Sequence, residues 1–292
     1  MNHGIIFAFI GGDLRQIPVI RLLSEEGHEI KTFCLEQAEF PNHPITPSKT
    51  LEEALNDADV VVLPLPYSLD GKTVHAKLSS QFLPVQDVIC AMKPNQLLLA
   101  GRGSEYLSAL CELHHIRLVD YTKREELLVL NAVPTVEGAL AIAMEKTPYT
   151  IHQSQCLVLG YGRIGKLLSG SLQGLGAKVR VAARKHSDLA WMKAYGISGV
   201  PMENLADAVT DCNIIFNTVP HLLLDFPILA KIPKSYLIID LASGTGGVDF
   251  ETARELGRTA IHALSLPGKV APETAGVIIK DTIVNILEEL GV

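Results

Sequence analysis

The segment Gly160-Tyr161-Gly162-Arg163-Ile164-Gly165 constrains the fold of this chain more than any other. It reads G-x-G-x-x-G, follows the apolar run CLVLG at 156–160, and opens a helix-length stretch over 163–175. A second apolar run, 178–182, comes next. In that context each glycine has a physical task. Gly160 makes the tight turn, Gly162 lets the backbone approach a pyrophosphate, and Gly165 lets the helix pack against the strand. The pyrophosphate then sits at a helix N-terminus, where free N–H groups and the dipole favour an anion. Tyr161, Arg163 and Ile164 complete the candidate cofactor turn.

Around this turn, short Val/Ile-rich runs alternate with helix-length segments, the pattern of βαβ units and parallel sheets. The pattern runs through the chain twice. Strands are expected at 5–10, 29–33, 59–63, 96–100 and 116–119, then at 156–160, 178–182, 213–217, 236–240 and 259–263. The stretch 64–85 reads as a loop carrying a short helix. Pro134 fits a first helical turn, so a linking helix is expected from there, with Pro148 beyond its end. The fold class is therefore α/β: two doubly wound, Rossmann-like parallel-sheet domains joined by a linking helix. The expected boundaries are 1–130 with about 272–292 for an N-terminal substrate and partner domain, 131–149 for the linker, and 150–271 for the dinucleotide domain. The terminal amphipathic helix, 277–290, is expected to return to the first domain.

Composition narrows the class. Of 292 residues 48% are hydrophobic and 20% charged, which excludes a disordered chain. A net charge of −7 argues against a nucleic-acid footprint. Apolar runs such as 59–65 are strand-length, short of the ~20 residues that span a bilayer. The opening residues lack a basic region and a cleavage site and read as a strand, not a signal peptide. Five scattered cysteines without a CxxC pair suggest reduced thiols in a cytoplasm and no zinc site.

The strand after the glycine turn discriminates between cofactors. An NAD site places Asp or Glu at its end to hold the ribose 2′-hydroxyl. Here that end reads Ala183-Arg184-Lys185-His186-Ser187, with no acid. Arg184 and Lys185 can bind a 2′-phosphate and Ser187 can donate to it, so the expected cofactor is NADP; the other reading is a solvated basic turn. Ligands of such sheets gather at the carboxyl ends of strands. Thr218, Pro220, Ala242 and Ser243 are therefore candidates for the nicotinamide side. Asp240 is either a site residue or a loop cap.

The first strand ends in Gly11-Gly12-Asp13-Leu14-Arg15-Gln16, which is not a dinucleotide fingerprint. It still offers a helix start to an anion, and Arg15 can pair with a substrate carboxylate; the other reading is a structural turn. The expected start of the linking helix, Asn131 to Glu137, offers another anion cradle. Asn131 and Thr135 join Arg15 as candidate substrate-binding residues, and Glu137 is the candidate proton acceptor. Such anion-favouring features suit a dicarboxylate.

The motifs IGGDLRQ, NAVPTVEGALAIA, VLGYGRIG, NTVP, DLASGTGG and LPGKVAPETAG resemble the A subunit of dipicolinate synthase from spore-forming bacteria, over residues 5 to 290. The resemblance implies a two-domain fold similar to 2-hydroxyacid and alanine dehydrogenases. It implies oxidation of dihydrodipicolinate to dipicolinate in the mother-cell cytoplasm during sporulation, together with a flavoprotein-like B subunit. A homo-oligomer is compatible with it. Two other readings stand beside this one. The first is a 2-hydroxyacid dehydrogenase, for which His221 and His262 lie near strand ends but without the partnered Arg and Glu of that family. The second is a non-catalytic NADP-binding regulatory subunit.

Overall fold

A computed structural model describes residues 4–292. The chain divides into two units, one running to Asn131 and taking back Ala271–Val292, the other comprising Ala132–Val270. The boundary falls inside one long helix.

The N-terminal unit contains β1 (Ile6–Ile10), α1 (Gln16–Glu25), β2 (Glu29–Phe33), β3 (Ile45–Pro47), α2 (Leu51–Leu55), β4 (Val60–Val62), α3 (Val85–Ala91), β5 (Leu97–Ala100), α4 (Glu105–Leu113), β6 (Arg117–Asp120) and the start of α5 (Glu125–Lys146). Its sheet is all parallel in the order β3-β2-β1-β4-β5-β6. Strands buried on both faces must be apolar throughout, which is why IFAFI and VVV do not alternate with polar residues. Their period-two pleat still sorts the side chains. Ala8, Ile10 and Val61 join the core under α2, α3 and α4, whereas Phe7, Phe9, Val60 and Val62 join the core under α1 and the terminal helix.

The C-terminal unit continues with β7 (Gln155–Leu159), α6 (Arg163–Gly174), β8 (Lys178–Ala183), α7 (His186–Ala194), β9 (Ser198–Pro201), α8 (Leu205–Ala208), β10 (Ile214–Asn217), α9 (Phe226–Leu229), β11 (Leu237–Asp240), α10 (Phe250–Glu255), β12 (Thr259–His262) and α11 (Leu266–Val270). Its sheet is again all parallel, in the order β12-β11-β10-β7-β8-β9. Both units are thus doubly wound Rossmann-like sheets, each with a switch point beside its first strand, between β1 and β4 and between β7 and β10. The terminal helix α12 (Pro272–Leu290) inserts Ile278, Ile279, Ile283, Ile286 and Leu287 into the N-terminal core against α1.

Two sequence-based expectations are corrected. Among the described residues no helix lies within 64–84; the first beyond β4 begins at Val85. Pro64 and Pro66 remove backbone donors, and the Asp70 carboxylate instead takes the N–H groups of Lys72 and Thr73, both at 2.8 Å, fixing a turn. The second correction concerns α5, which starts at Glu125 and carries Pro134 in its interior. Glu125 and Glu126 occupy its first turn, where acids favour the dipole. Leu127 anchors one end in the N-terminal core, and Val136, Ala139 and Ala143 anchor the other in the C-terminal core. This burial offsets the one backbone hydrogen bond that a proline cannot donate. By length and composition alone α5 could cross a membrane, but these residues form part of the two cores.

Candidate functional site

The C-terminal switch point is built around an open turn. Gly160 has φ +95°, and a Cβ there would lie 2.6 Å from Thr218 Oγ1 and 2.8 Å from Val219. A Cβ on Gly165 would lie 2.2 Å from the Gly160 carbonyl oxygen. These contacts fix the first and third glycines of the motif. Gly162 is different: its φ is −80°, and a Cβ on it would meet nothing within 4 Å. The turn needs its middle glycine neither for conformation nor for packing. What the missing side chain leaves is open space over the start of α6, whose N-cap makes no side-chain hydrogen bond. That is the geometry a pyrophosphate requires. The residues therefore fit a dinucleotide.

The surrounding groups sharpen the charge of this turn. Tyr161 is buried beneath it, with the Lys166 ammonium 5.6 Å from its ring centroid. Lys166 was not singled out from the sequence, although its place in the first turn of α6 follows from the motif. Ile164 packs into the unit's core, and Arg163 is exposed. Arg184, Lys185 and Ser187 are all exposed at the carboxyl end of β8. They present two cations and a hydroxyl where an NAD site carries an acid.

At the neighbouring strand ends, Thr218 supports the turn: its N–H and Oγ1 both donate to the Leu159 carbonyl, at 2.9 and 2.8 Å. Pro220 lines a groove of about 340 Å³ with His221, Leu222, Thr245, Gly246, Val248 and Asp249. Asp240 is fully buried and acts as a loop organiser. It accepts hydrogen bonds from Asn217 Nδ2 (2.8 Å), the Ala242 N–H (3.0 Å) and the Gly247 N–H (2.7 Å). Ala242 is thereby buried and Ser243 is left exposed on the loop. His262 lies 3.2 Å from the Ala242 carbonyl and stacks on Phe250. The Asn217–Asp240 pair escaped sequence reasoning because the two residues become neighbours only through β10–β11 pairing.

The N-terminal switch point carries a glycine turn of the opposite kind. Gly11 has φ +69°, and a Cβ there would strike Val74 at 2.8 Å and the His75 carbonyl oxygen at 3.2 Å. Gly12 bridges to Ala76 and its carbonyl accepts from the Leu78 N–H. The segment 73–78 thus straps over this turn. Arg15 is 5% exposed and bound to Asp13, with Nε–Oδ1 2.9 Å and Nη2–Oδ2 2.7 Å; Nη2 also donates to the Leu65 carbonyl. Burial alone would push the Asp13 carboxyl up, but the hydrogen bonds and charge of Arg15 outweigh it and hold it below the usual range.

Asn131, Thr135 and Glu137 lie well inside α5, not at a helix start. The backbone anion cradle expected there does not exist, because the backbone N–H groups of a helix interior bond within the helix. Asn131 and Thr135 are half-buried and, four residues apart, share one helix face, while Glu137 is exposed.

Two family models match the chain. One is the N-terminal domain of the dipicolinate synthase A subunit, over residues 6–122; the other is the NAD binding domain of D-isomer specific 2-hydroxyacid dehydrogenases, over 136–258. The dipicolinate synthase A subunit of Bacillus subtilis (strain 168) is 32% identical over 291 residues, covering 99% of this chain and 98% of that one. Crystal structures of the same protein superpose closely. That from Bacillus halodurans has a TM-score of 0.91 at 32% identity, covering 98% of this chain and 99% of its own. That from Bacillus subtilis has a TM-score of 0.89 at 32% identity, covering 100% and 98%. The match over 136–258 places the open turn in an NAD-binding domain of the dehydrogenase kind.

Proposed function

This chain belongs to the family of dipicolinate synthase A subunits, and from that premise we propose that it oxidises dihydrodipicolinate to dipicolinate with NADP as hydride acceptor, together with a B subunit, in the cytoplasm of a sporulating mother cell. The observation that carries this reading is the open Gly162 turn followed by a β8 end that holds Arg184 and Lys185 in place of an acid. A 2′-phosphate meets two cations there, and Arg184 offers it the paired donors of a guanidinium.

A bound nicotinamide would supply the hydride acceptor, so that the substrate ring could lose a hydride and a proton and become aromatic. The protein's task is then positioning rather than forceful acid–base chemistry. Gly162 and the N–H groups opening α6 would hold the pyrophosphate. Asp240, by gripping the Ala242 and Gly247 N–H groups, shapes the loop on which Ser243 is displayed, and Pro220 borders the adjoining groove. Arg15, at the end of β1, and Asn131 and Thr135, on α5, are the candidate residues for binding substrate carboxylates. Glu137, exposed on the same helix, is the candidate proton acceptor. A reading as a 2-hydroxyacid dehydrogenase is less well supported, since His262 stands against a backbone carbonyl and Phe250.

The test is turnover. Purified chain with NADP and enzymatically generated dihydrodipicolinate, with and without the B subunit, is expected to form NADPH and the pyridine product together. No turnover in either mixture contradicts the assignment, and turnover only with the partner makes the active species the complex. Arg184→Asp is expected to weaken NADP binding about tenfold to a hundredfold while leaving NAD within a few-fold. Equal losses for both would overturn the cofactor choice.

A further inference from the structure

The C-terminal unit is electrically polarised. Lys166 stands at the open turn, and Arg184 and Lys185 stand at the next strand end. The groove of about 340 Å³ at the ends of β10 and β11 has the opposite sign. Asp249 lines it, and no lysine or arginine does among the described residues; the other titratable lining group is His221. Thr252 donates to Asp249 from its N–H (3.0 Å) and its hydroxyl (2.7 Å), and these bonds hold the carboxyl below the usual range. The groove adjoins the turn: a Cβ on Gly160 would meet Val219 at 2.8 Å, and the next residue, Pro220, is part of the lining.

A second carboxylate stands behind the groove wall. Asp240 is fully buried and both its oxygens accept hydrogen bonds, Oδ1 from Asn217 Nδ2 and the Ala242 N–H, Oδ2 from the Gly247 N–H. These donors are all neutral. His262, its neighbour in the sheet register, sets Nε2 3.2 Å from the Ala242 carbonyl oxygen instead. A buried carboxylate without a cation beside it is costly to keep, and little solvent screens its field. The wall in front of it is thin. Gly246 lines the groove, and a Cβ on it would lie 2.3 Å from Asp240 Oδ2. A Cβ on Gly247 would lie 2.4 Å from Asn217 Nδ2. A side chain at either position would collide with the buried pair, so the two glycines let the Asp240 carboxylate come within a backbone's thickness of the groove.

A negative groove beside a basic turn is the complement of an oxidised nicotinamide dinucleotide, whose phosphates are anionic and whose pyridinium ring is cationic. We propose that this groove takes the pyridinium and that Asp240 and Asp249 are its counter-charges, so that the chain binds the oxidised cofactor in preference to the reduced one. The reduced ring is neutral and feels no such attraction, whereas the phosphates are common to both forms. An enzyme that consumes the oxidised form thereby holds its acceptor and releases the reduced product. Asn217 is a positioning residue. It donates to Asp240 from Nδ2 and accepts the Val219 N–H at Oδ1 (3.1 Å), which ties the two loops together. The proposal rests on the dehydrogenase reading above and adds the redox form for which the site is built.

The test is separate measurement of the dissociation constants of NADP⁺ and NADPH for the full chain, by calorimetry and by NADPH fluorescence. The pH is about 8, above the ordinary histidine pKa of ~6.5. The unaltered chain is expected to bind NADP⁺ about threefold or more tighter than NADPH. Asp240→Asn keeps the size of the side chain and removes its charge, and should shift the ratio toward NADPH by about tenfold. Asp249→Asn, which preserves a helix N-cap, should shift it by about threefold. Distorted loops would weaken both forms alike, so the ratio reads the charge. If Asp240→Asn fails to fold, the ratios of the unaltered chain and of Asp249→Asn decide. Equal affinity for the two forms in the unaltered chain, or folded variants that keep its ratio, overturns the proposal and leaves the cofactor reading standing. Binding of NAD⁺ and NADH alone, with the preference for the oxidised form intact, upholds the counter-charges and removes NADP.

Discussion

The two units repeat one topology and use it in opposite ways. Each places a glycine turn at the end of its first strand, beside the point where strand order reverses. In the C-terminal unit the turn is bare above Gly162, and the start of α6 carries no side-chain cap. In the N-terminal unit Val74, His75 and Ala76 pack against Gly11, and the Asp13 carboxylate already accepts the Arg15 N–H. The same sheet order therefore does not give the same turn. The C-terminal turn keeps the open space that a dinucleotide's pyrophosphate requires, whereas the N-terminal turn is strapped over and holds its own internal carboxylate.

The comparison can be broken at either turn. The largest expected effect is at the filled one. Arg15→Met leaves the partly buried Asp13 without its partner, so thermal unfolding should show about 2–3 kcal/mol of lost stability with NADP affinity unchanged. A loss below about 1 kcal/mol would mean that the pair is not what fixes this turn. At the open turn the packing glycine comes next. Gly165→Ala drives a methyl into the Gly160 carbonyl, and about 1–3 kcal/mol of stability should disappear together with cofactor binding. Retained stability would show that the helix can shift away from the strand.

A smaller, pH-dependent effect separates the turns further. Asp13 has a lowered pKa when folded, so its stabilisation is present above the unfolded value of ~3.9 and fades as pH falls through the folded value. His75 is also lowered, so the folded state binds fewer protons than the unfolded chain below ~6.5, and stability declines as pH falls from there. Denaturant melts at pH 7 and 5.5 should show a decline that His75→Gln flattens. An unflattened decline would assign it to another group.

How much of this the sequence held depends on whether the signal was local. β7, α6 and β8 were legible because the glycine spacing and the apolar runs flanking it are contiguous. The short strands β3 and β9, of 3 and 4 residues, were missed because edge strands carry little apolar signal: Ile45-Thr46-Pro47 exposes most of its surface. α5 was started too late because Pro134 is an ordinary helix opener, and only tertiary packing on both sides of it reveals the longer helix. In the site, Gly162 and Arg184 follow from motif position alone. The pairing of Asn217 with Asp240 does not, since the two are 23 residues apart and only the β10–β11 register brings them together.

The contrast between an open and a filled turn is tested most directly by the stoichiometry of NADP binding in the unaltered chain, Gly162→Ala and Gly12→Ala. One dinucleotide per chain is expected. Gly162→Ala should keep its melting temperature, because the backbone at that position suits alanine, yet lose at least tenfold in affinity as the methyl fills the ligand's space. Gly12→Ala, at φ +142°, should lower the melting temperature and leave the dinucleotide affinity untouched. Two dinucleotides per chain, or weakened NADP binding by folded Gly12→Ala, would contradict the account.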